Sequence, residues 1–167
     1  MKEIYTRRSI RSYQEEKLPM DDLIKLAKAA MNAPSGMNTQ PWQIVIIDDP
    51  ELIGELVDYN KGWTPLIKAG QGMLLCGDLS KNPDPNYLCI DIGAATQTVL
   101  LEAESMGYGT CWLGIGPREE RTTAVKKIFN LPENFQPISM VAVGVKNEQP
   151  EPNNRFLEER IFFNSFK

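Results

Sequence analysis

The stretch from residue 86 to about residue 106 constrains this chain most. Ile92, Ala95, Val99, Leu100 and Ala103 recur at helical spacing, and the first half has almost no polar face. A helix apolar nearly all round is buried, so the fold must wrap it on most sides. Asp91 and Gln97 inside it read as polar groups satisfied by the structure rather than as catalysts. At 167 residues, the chain fits one domain, 1–167, with a real core.

The rest supplies shorter elements. Asp21 and Asp22 open a helix with Leu23, Leu26, Ala27 and Ala30 on one side, ending near Asn32 before Pro34. A strand is expected over 43–47. A helix follows from Pro50, with Leu52, Leu56 and Tyr59 on one face, and Pro65 predicts an irregular stretch after it. Residues 72–77 and 110–113 read as short strands, and Gly107 and Gly109 stop the long helix. Pro117 opens a helix with Ala124, Val125, Ile128 and Phe129 inward, and 136–145 is a last core strand. Residues 146–154 are polar and contain Pro, which suits an extended arm.

Histidine is absent from the whole chain. A Ser-His-Asp or Cys-His nucleophile cannot be built within it, and the commonest zinc ligand is missing. Cys76, Cys89 and Cys111 form no C-x-x-C pair, so neither a disulfide framework nor a metal site is indicated. A chain this short of acid-base groups either binds without chemistry or borrows its chemistry from a cofactor. The net charge of -4 argues against nucleic acid as the main partner. The apolar runs are too short to span a bilayer and no export signal opens the chain, so a cytoplasmic protein is expected.

Two segments could bind something. Arg7, Arg8 and Arg11 put three positive charges around Ser9, which fits either a solvated basic patch or phosphate recognition by guanidinium forks. The run Ala33-Pro34-Ser35-Gly36-Met37-Asn38-Thr39-Gln40-Pro41-Trp42 is a polar loop between a helix and a strand, where binding groups tend to sit. Gln40, Pro41 and Trp42 suit strand entry better than ligand contact.

Arg7-Arg8-Ser9-Ile10-Arg11, the loop from Pro34 to Trp42, and Gly107-Tyr108-Gly109-Thr110-Cys111-Trp112-Leu113-Gly114 stand in the order R-R-S-x-R, P-S-x-x-N-x-Q-P-W, G-x-G-T-C-W-x-G. With these motifs the chain resembles the nitroreductase family of flavin mononucleotide (FMN) enzymes, nearly from end to end. The resemblance implies an α+β three-layer fold, a central mainly antiparallel sheet flanked by helices, in an entwined homodimer with the long helix in the dimer core. Residues 146–167 would be an arm embracing the partner subunit, which also gives the exposed aromatics of the tail something to dock on. The implied FMN contacts are Arg7, Arg8, Ser9 and Arg11, then Pro34, Ser35, Gly36 and Asn38 reaching a flavin held largely by the partner. Leu113 and Gly114 would meet the ring through backbone, and Arg155 would hold phosphate. Arg160 is a weaker candidate that could equally pair with a glutamate. Family members more often carry Ser at the place of Gly36. No side chain is implied as catalytic, because the flavin carries the redox chemistry. The activity implied is hydride transfer from NADH or NADPH to flavin N5, then to a small-molecule acceptor such as a nitroaromatic or quinone by a ping-pong mechanism. Reductive dehalogenation, flavin cleavage or a non-catalytic flavin-binding module are the alternatives. The segment 60–88 is short beside many family members, which implies an open site.

Overall fold

Strands β1 (Trp42–Ile47), β2 (Gly72–Asp78), β3 (Tyr108–Gly114) and β4 (Phe135–Val145) pair antiparallel in the order β1-β2-β4-β3. The computed structural model describes residues 2–166. The helices are α1 (Glu3–Thr6), α2 (Met20–Ala30), α3 (Pro50–Tyr59), α4 (Thr64–Ala69), α5 (Pro85–Ser105) and α6 (Glu119–Ile128). No helix among the described residues is long and apolar enough to cross a membrane.

Side chains alternate across a strand, so a sheet covered on both faces needs apolar residues in both phases. Every residue of β2 is buried, and so is β4 from Pro137 to Gly144. On one face Met73, Leu75, Val141 and Val143 pack with Leu23 and Leu26 of α2 and Ala95 and Val99 of α5. On the other, Leu74, Met140 and Ala142 pack with Leu56 of α3, Leu66 of α4, Val125 of α6 and the buried Trp63. Each fully buried Leu contributes about 1.5–3 kcal/mol relative to exposure. The result is helix, sheet and helix in three layers, as expected for the α+β class.

Three local expectations are corrected. Pro65 does not leave an irregular stretch; it sits at the start of α4, where its missing N–H breaks no helical bond. The inward face of α3 is Ile53, Leu56 and Val57, while Tyr59 is exposed and donates its hydroxyl to Glu120 O at 3.0 Å. The first half of α5 is not enclosed by its own chain: Tyr87 and Ile90 are exposed, and Gln97, expected to be satisfied inside, is exposed beyond them. Asp91 is buried as expected, but only half satisfied. Its Oδ1 accepts the Gly36 N–H at 2.9 Å, and its Oδ2 has no partner.

Gly109 of β3 and Gly144 of β4 are directly opposite each other. A Cβ at Gly109 would come within 2.9 Å of Ile10, and one at Gly144 within 2.9 Å of the Tyr13 ring. This paired bare patch is a trough that seats Ile10 and Tyr13, and so docks the N-terminal segment on the sheet. The Tyr13 hydroxyl bonds to Ile10 O at 2.6 Å, closing the turn between them.

Candidate functional site

With Ile10 in the trough, the Arg7 to Arg11 segment lies along the β3 edge. Ser9 bridges Thr110 in parallel, and Ile10 N donates to Thr110 O at 2.8 Å. Arg7 is half-buried, and burial, then the nearby guanidiniums of Arg155 and Arg8, lower its hold on its proton. Arg155 is exposed on the arm, yet it belongs to the same cluster. Arg8 ties the arm down: its Nε donates to Glu151 O at 2.9 Å and its Nη1 to Arg7 O at 2.6 Å. Its Nη2 is buried without a partner. Among the described residues, no carboxylate lies within 4.0 Å of Arg7, Arg8, Arg11, Arg155 or Arg160. The pairing of Arg160 with a glutamate is therefore not seen.

Glu148 at the arm root was not anticipated from sequence. One of its carboxylate oxygens accepts the backbone N–H groups of Arg11 and Ser12, the latter at 2.9 Å. These two bonds hold its carboxyl below the ordinary value of 4.5. A depressed carboxyl pKa stabilises the folded state fully above the unfolded value and stops doing so as pH falls through the folded one. The tether between arm and arginine segment is thus intact at neutral pH and released on acidification below 4.5. Hydrogen exchange at the Arg11 and Ser12 amides, corrected for the intrinsic rate, is expected to rise in that window. Glu148→Gln should abolish the pH dependence. A cavity of about 760 Å³ lies beneath the arm root, lined by Arg8, Ile10, Glu104, Lys146, Glu148 and Pro150 among others. Of the sequence candidates it takes in Arg8 alone.

Further along β3 the edge is open. Thr110 O points outward to Ile10, whereas Ile115 N donates to Ile138 O of the β4 chain. Alternation along an antiparallel strand then turns the N–H and C=O of Gly114 outward and those of Leu113 toward β4. Leu113 is buried in the core, so of this pair only Gly114 presents backbone to the edge. A Cβ at Gly114 would meet nothing within 4 Å. Cys111, beside Thr110 on the same strand, is buried, and burial raises its thiol pKa, as expected of a small hydrophobe.

The loop takes its shape from strained backbone and internal hydrogen bonds. Left-handed backbone falls on Met37, Asn38 and Gln40, not on Gly36. Gly36 instead makes room for the Tyr87 ring, 3.1 Å from where a Cβ would stand. Ser35 Oγ accepts the Gln40 N–H at 3.0 Å, and Asn38 Oδ1 accepts from Gln40 Nε2 at 3.0 Å. Pro34 and Asn38 are exposed, Ser35 and Gly36 partly so.

The structure brings the arginines together, but not with the loop. The loop enters β1 and hangs from Asp91; the arginine segment lies at β3, where Thr6 and Lys146 bond to Glu104. Three strand spacings separate the edges, roughly 14 Å. Thirteen residues of α5 between Asp91 and Glu104 add roughly 20 Å lengthwise. Within one chain they occupy opposite corners.

This layered sheet, with arginines gathered on one edge and a polar loop at the far corner, has a recognised counterpart. Residues 4–82 and 76–145 match the nitroreductase family model. The chain belongs to the nitroreductase family. Relatives include a provisionally named NADH dehydrogenase/NAD(P)H nitroreductase of Archaeoglobus fulgidus, 37% identical over 96% of this chain and 95% of the relative. An iodotyrosine deiodinase of Thermotoga neapolitana is 43% identical, over 96% of this chain and 95% of the relative. Among solved structures, a provisionally named NADH dehydrogenase/NAD(P)H nitroreductase of Parabacteroides distasonis superimposes with a TM-score of 0.94 at 30% identity, covering 98% of this chain and 96% of that one.

Proposed function

We propose that this chain is an FMN-dependent oxidoreductase, acting as a homodimer, that takes electrons from NADH or NADPH and passes them to a small-molecule acceptor such as a nitroaromatic or quinone. The observation that carries the reading is the mutual repulsion of Arg7, Arg8 and Arg155, offset only in part by Glu104, with no carboxylate within 4.0 Å among the described residues. Like charges gathered at a half-buried spot repel, and an anion with several oxygens relieves them. A phosphate monoester fits that need through paired charge-assisted hydrogen bonds.

The residues present also fit a flavin ring. The outward N–H of Gly114 and the empty space where its Cβ would be give a flat ligand a donor and room for close approach. Bound FMN would supply the redox chemistry, taking hydride from the nicotinamide and yielding it to the acceptor in alternating half-reactions. The chain's part is positioning and charge. Arg7, Arg8 and Arg155 hold phosphate, and Gly114 aligns the ring. Arg11, exposed and fixed at its backbone by Glu148, can set a positive charge at the ring's polar edge.

Pro34, Ser35, Gly36 and Asn38 complete the site only from a second chain, since their own arginines lie at the opposite corner. The exposed Tyr87 and Ile90 on α5 and the exposed Phe156, Phe162, Phe163 and Phe166 on the arm are the apolar surfaces such a dimer would cover. In this reading residues 1–145 form the body and 146–167 the embracing arm.

The likeness to a deiodinase favours one second reading, reductive removal of halogen on the same fold. Its alignment runs over 184 positions, longer than this chain's 167 residues, so that relative carries insertions absent here. The Archaeoglobus alignment, over 166 positions, needs far less extra length.

Anaerobic absorption spectra, before and after NADH and then NADPH, test the proposal. Flavin bands that bleach with either nucleotide and return with a nitroaromatic or quinone are the expected result. Return only with a halogenated phenol would select the second reading, and no flavin after incubation with FMN would refute both.

A further inference from the structure

Arg121 of α6 stands apart from the phosphate cluster, and its two partners join α6 to the end of β3. Its Nη1 donates to Gly114 O at 2.8 Å, at the exposed end of β3. Its guanidinium lies over the Trp63 ring, 5.9 Å from the centroid. Among the described residues no carboxylate is within 4.0 Å of it. It is half-buried, held between the indole and the strand end.

The platform beneath it is rigid. Trp63 is 2% exposed, and its turn is closed by Asn60, which accepts from Gly62 N at 2.9 Å through its side chain and from Trp63 N at 2.9 Å through its backbone. The Tyr59 hydroxyl reaches across to Glu120 O, the residue before Arg121. An arginine suits this place because its planar fork can stack on an indole and still direct one N–H at a carbonyl; a lysine ammonium cannot do both.

We infer that Arg121 is a positioning residue: clamped on Trp63, it fixes the Gly114 end of the open strand edge and sets an unpaired positive charge at the Gly114 carbonyl, which would make a flavin held at that edge easier to reduce. The inference rests on the FMN reading and adds to it a residue that touches no ligand. Reduction accumulates negative charge on the ring, and a cation held one peptide away stabilises that charge more than the oxidised form.

The test compares wild type, Arg121→Gln and Arg121→Lys as full-length proteins loaded with FMN. Midpoint potential is measured by dye equilibration, and hydrogen exchange is followed over residues 113–116. Arg121→Gln is expected to lower the potential and to raise exchange at Gly114 to Gly116, with flavin retained. Arg121→Lys, which keeps charge but loses the stack, should hold the potential nearer wild type while exchange still rises. A merely structural arginine would change exchange in both variants and the potential in neither. An unchanged potential in Arg121→Gln, with flavin bound, overturns the inference and leaves the FMN site standing. A wild type that takes up no FMN overturns the site reading, and this inference with it.

Discussion

Arg155→Ala protein is expected to lose FMN on dilution at concentrations where wild type keeps it, and Arg7→Ala to behave alike. A hydrogen bond to a charged group is worth about 1.5–3 kcal/mol. Each loss then weakens retention by roughly 10- to 150-fold. Because the two guanidiniums are neighbours, the double variant need not show the sum. The sign of the second effect is the sharper test. Burial and Arg155 both work against the charge on Arg7, so removing either arginine relieves repulsion in the flavin-free protein. Thermal stability without FMN should hold or rise while affinity falls, the pattern of a binding site rather than a structural ion cluster. Flavin titration and a melting curve on each variant check both halves.

Gly114→Val should separate folding from binding still more cleanly. Nothing lies within 4 Å of a Cβ at Gly114, its backbone is not in the left-handed region, and valine suits a strand. Stability should stay within about 0.5 kcal/mol of wild type, as for other unencumbered surface changes. A branched side chain in the space reserved for the ligand is another matter. Overpacking costs about 1–3 kcal/mol, so FMN affinity should drop by roughly 5- to 150-fold. Gly109→Val provides the contrast. There a Cβ would press within 2.9 Å of both Ile10 and Lys146, and the expected loss is of folding stability.

The two glycines also illustrate what could be read from sequence. Element type and order followed from local information: the 3.6-residue repeat of α2, α5 and α6, the apolar runs of β2 and β4, and the Pro and Gly punctuation. Pro65 misled because a proline that ends one element can also stand in the first turn of the next helix. The choice between Leu113 and Gly114 required the phase of the β3 edge, which only the pairing with β4 and the bridge to Ile10 defines. Glu148 stands 137 residues from Arg11, Asp91 stands 55 from Gly36, and neither partner announces the other. The arginine motif was visible at once; the trough that seats it is made by two glycines 35 positions apart whose opposition is a matter of register.

The central claim is that one flavin site draws arginines from one chain and the polar loop from another. A mixed-dimer experiment addresses it directly. One chain carries Arg7→Ala and Arg155→Ala; the other carries Asn38→Asp, a change compatible with the left-handed backbone at that position but fatal to the amide donor. Each variant alone should retain little FMN. Refolded together at equal amounts, with random pairing, they should recover roughly a quarter of the wild-type flavin sites, since half the dimers are mixed and each has one site with both halves intact. Recovery near that level bears out the two-chain site. A mixture that binds no more FMN than the separate variants contradicts it.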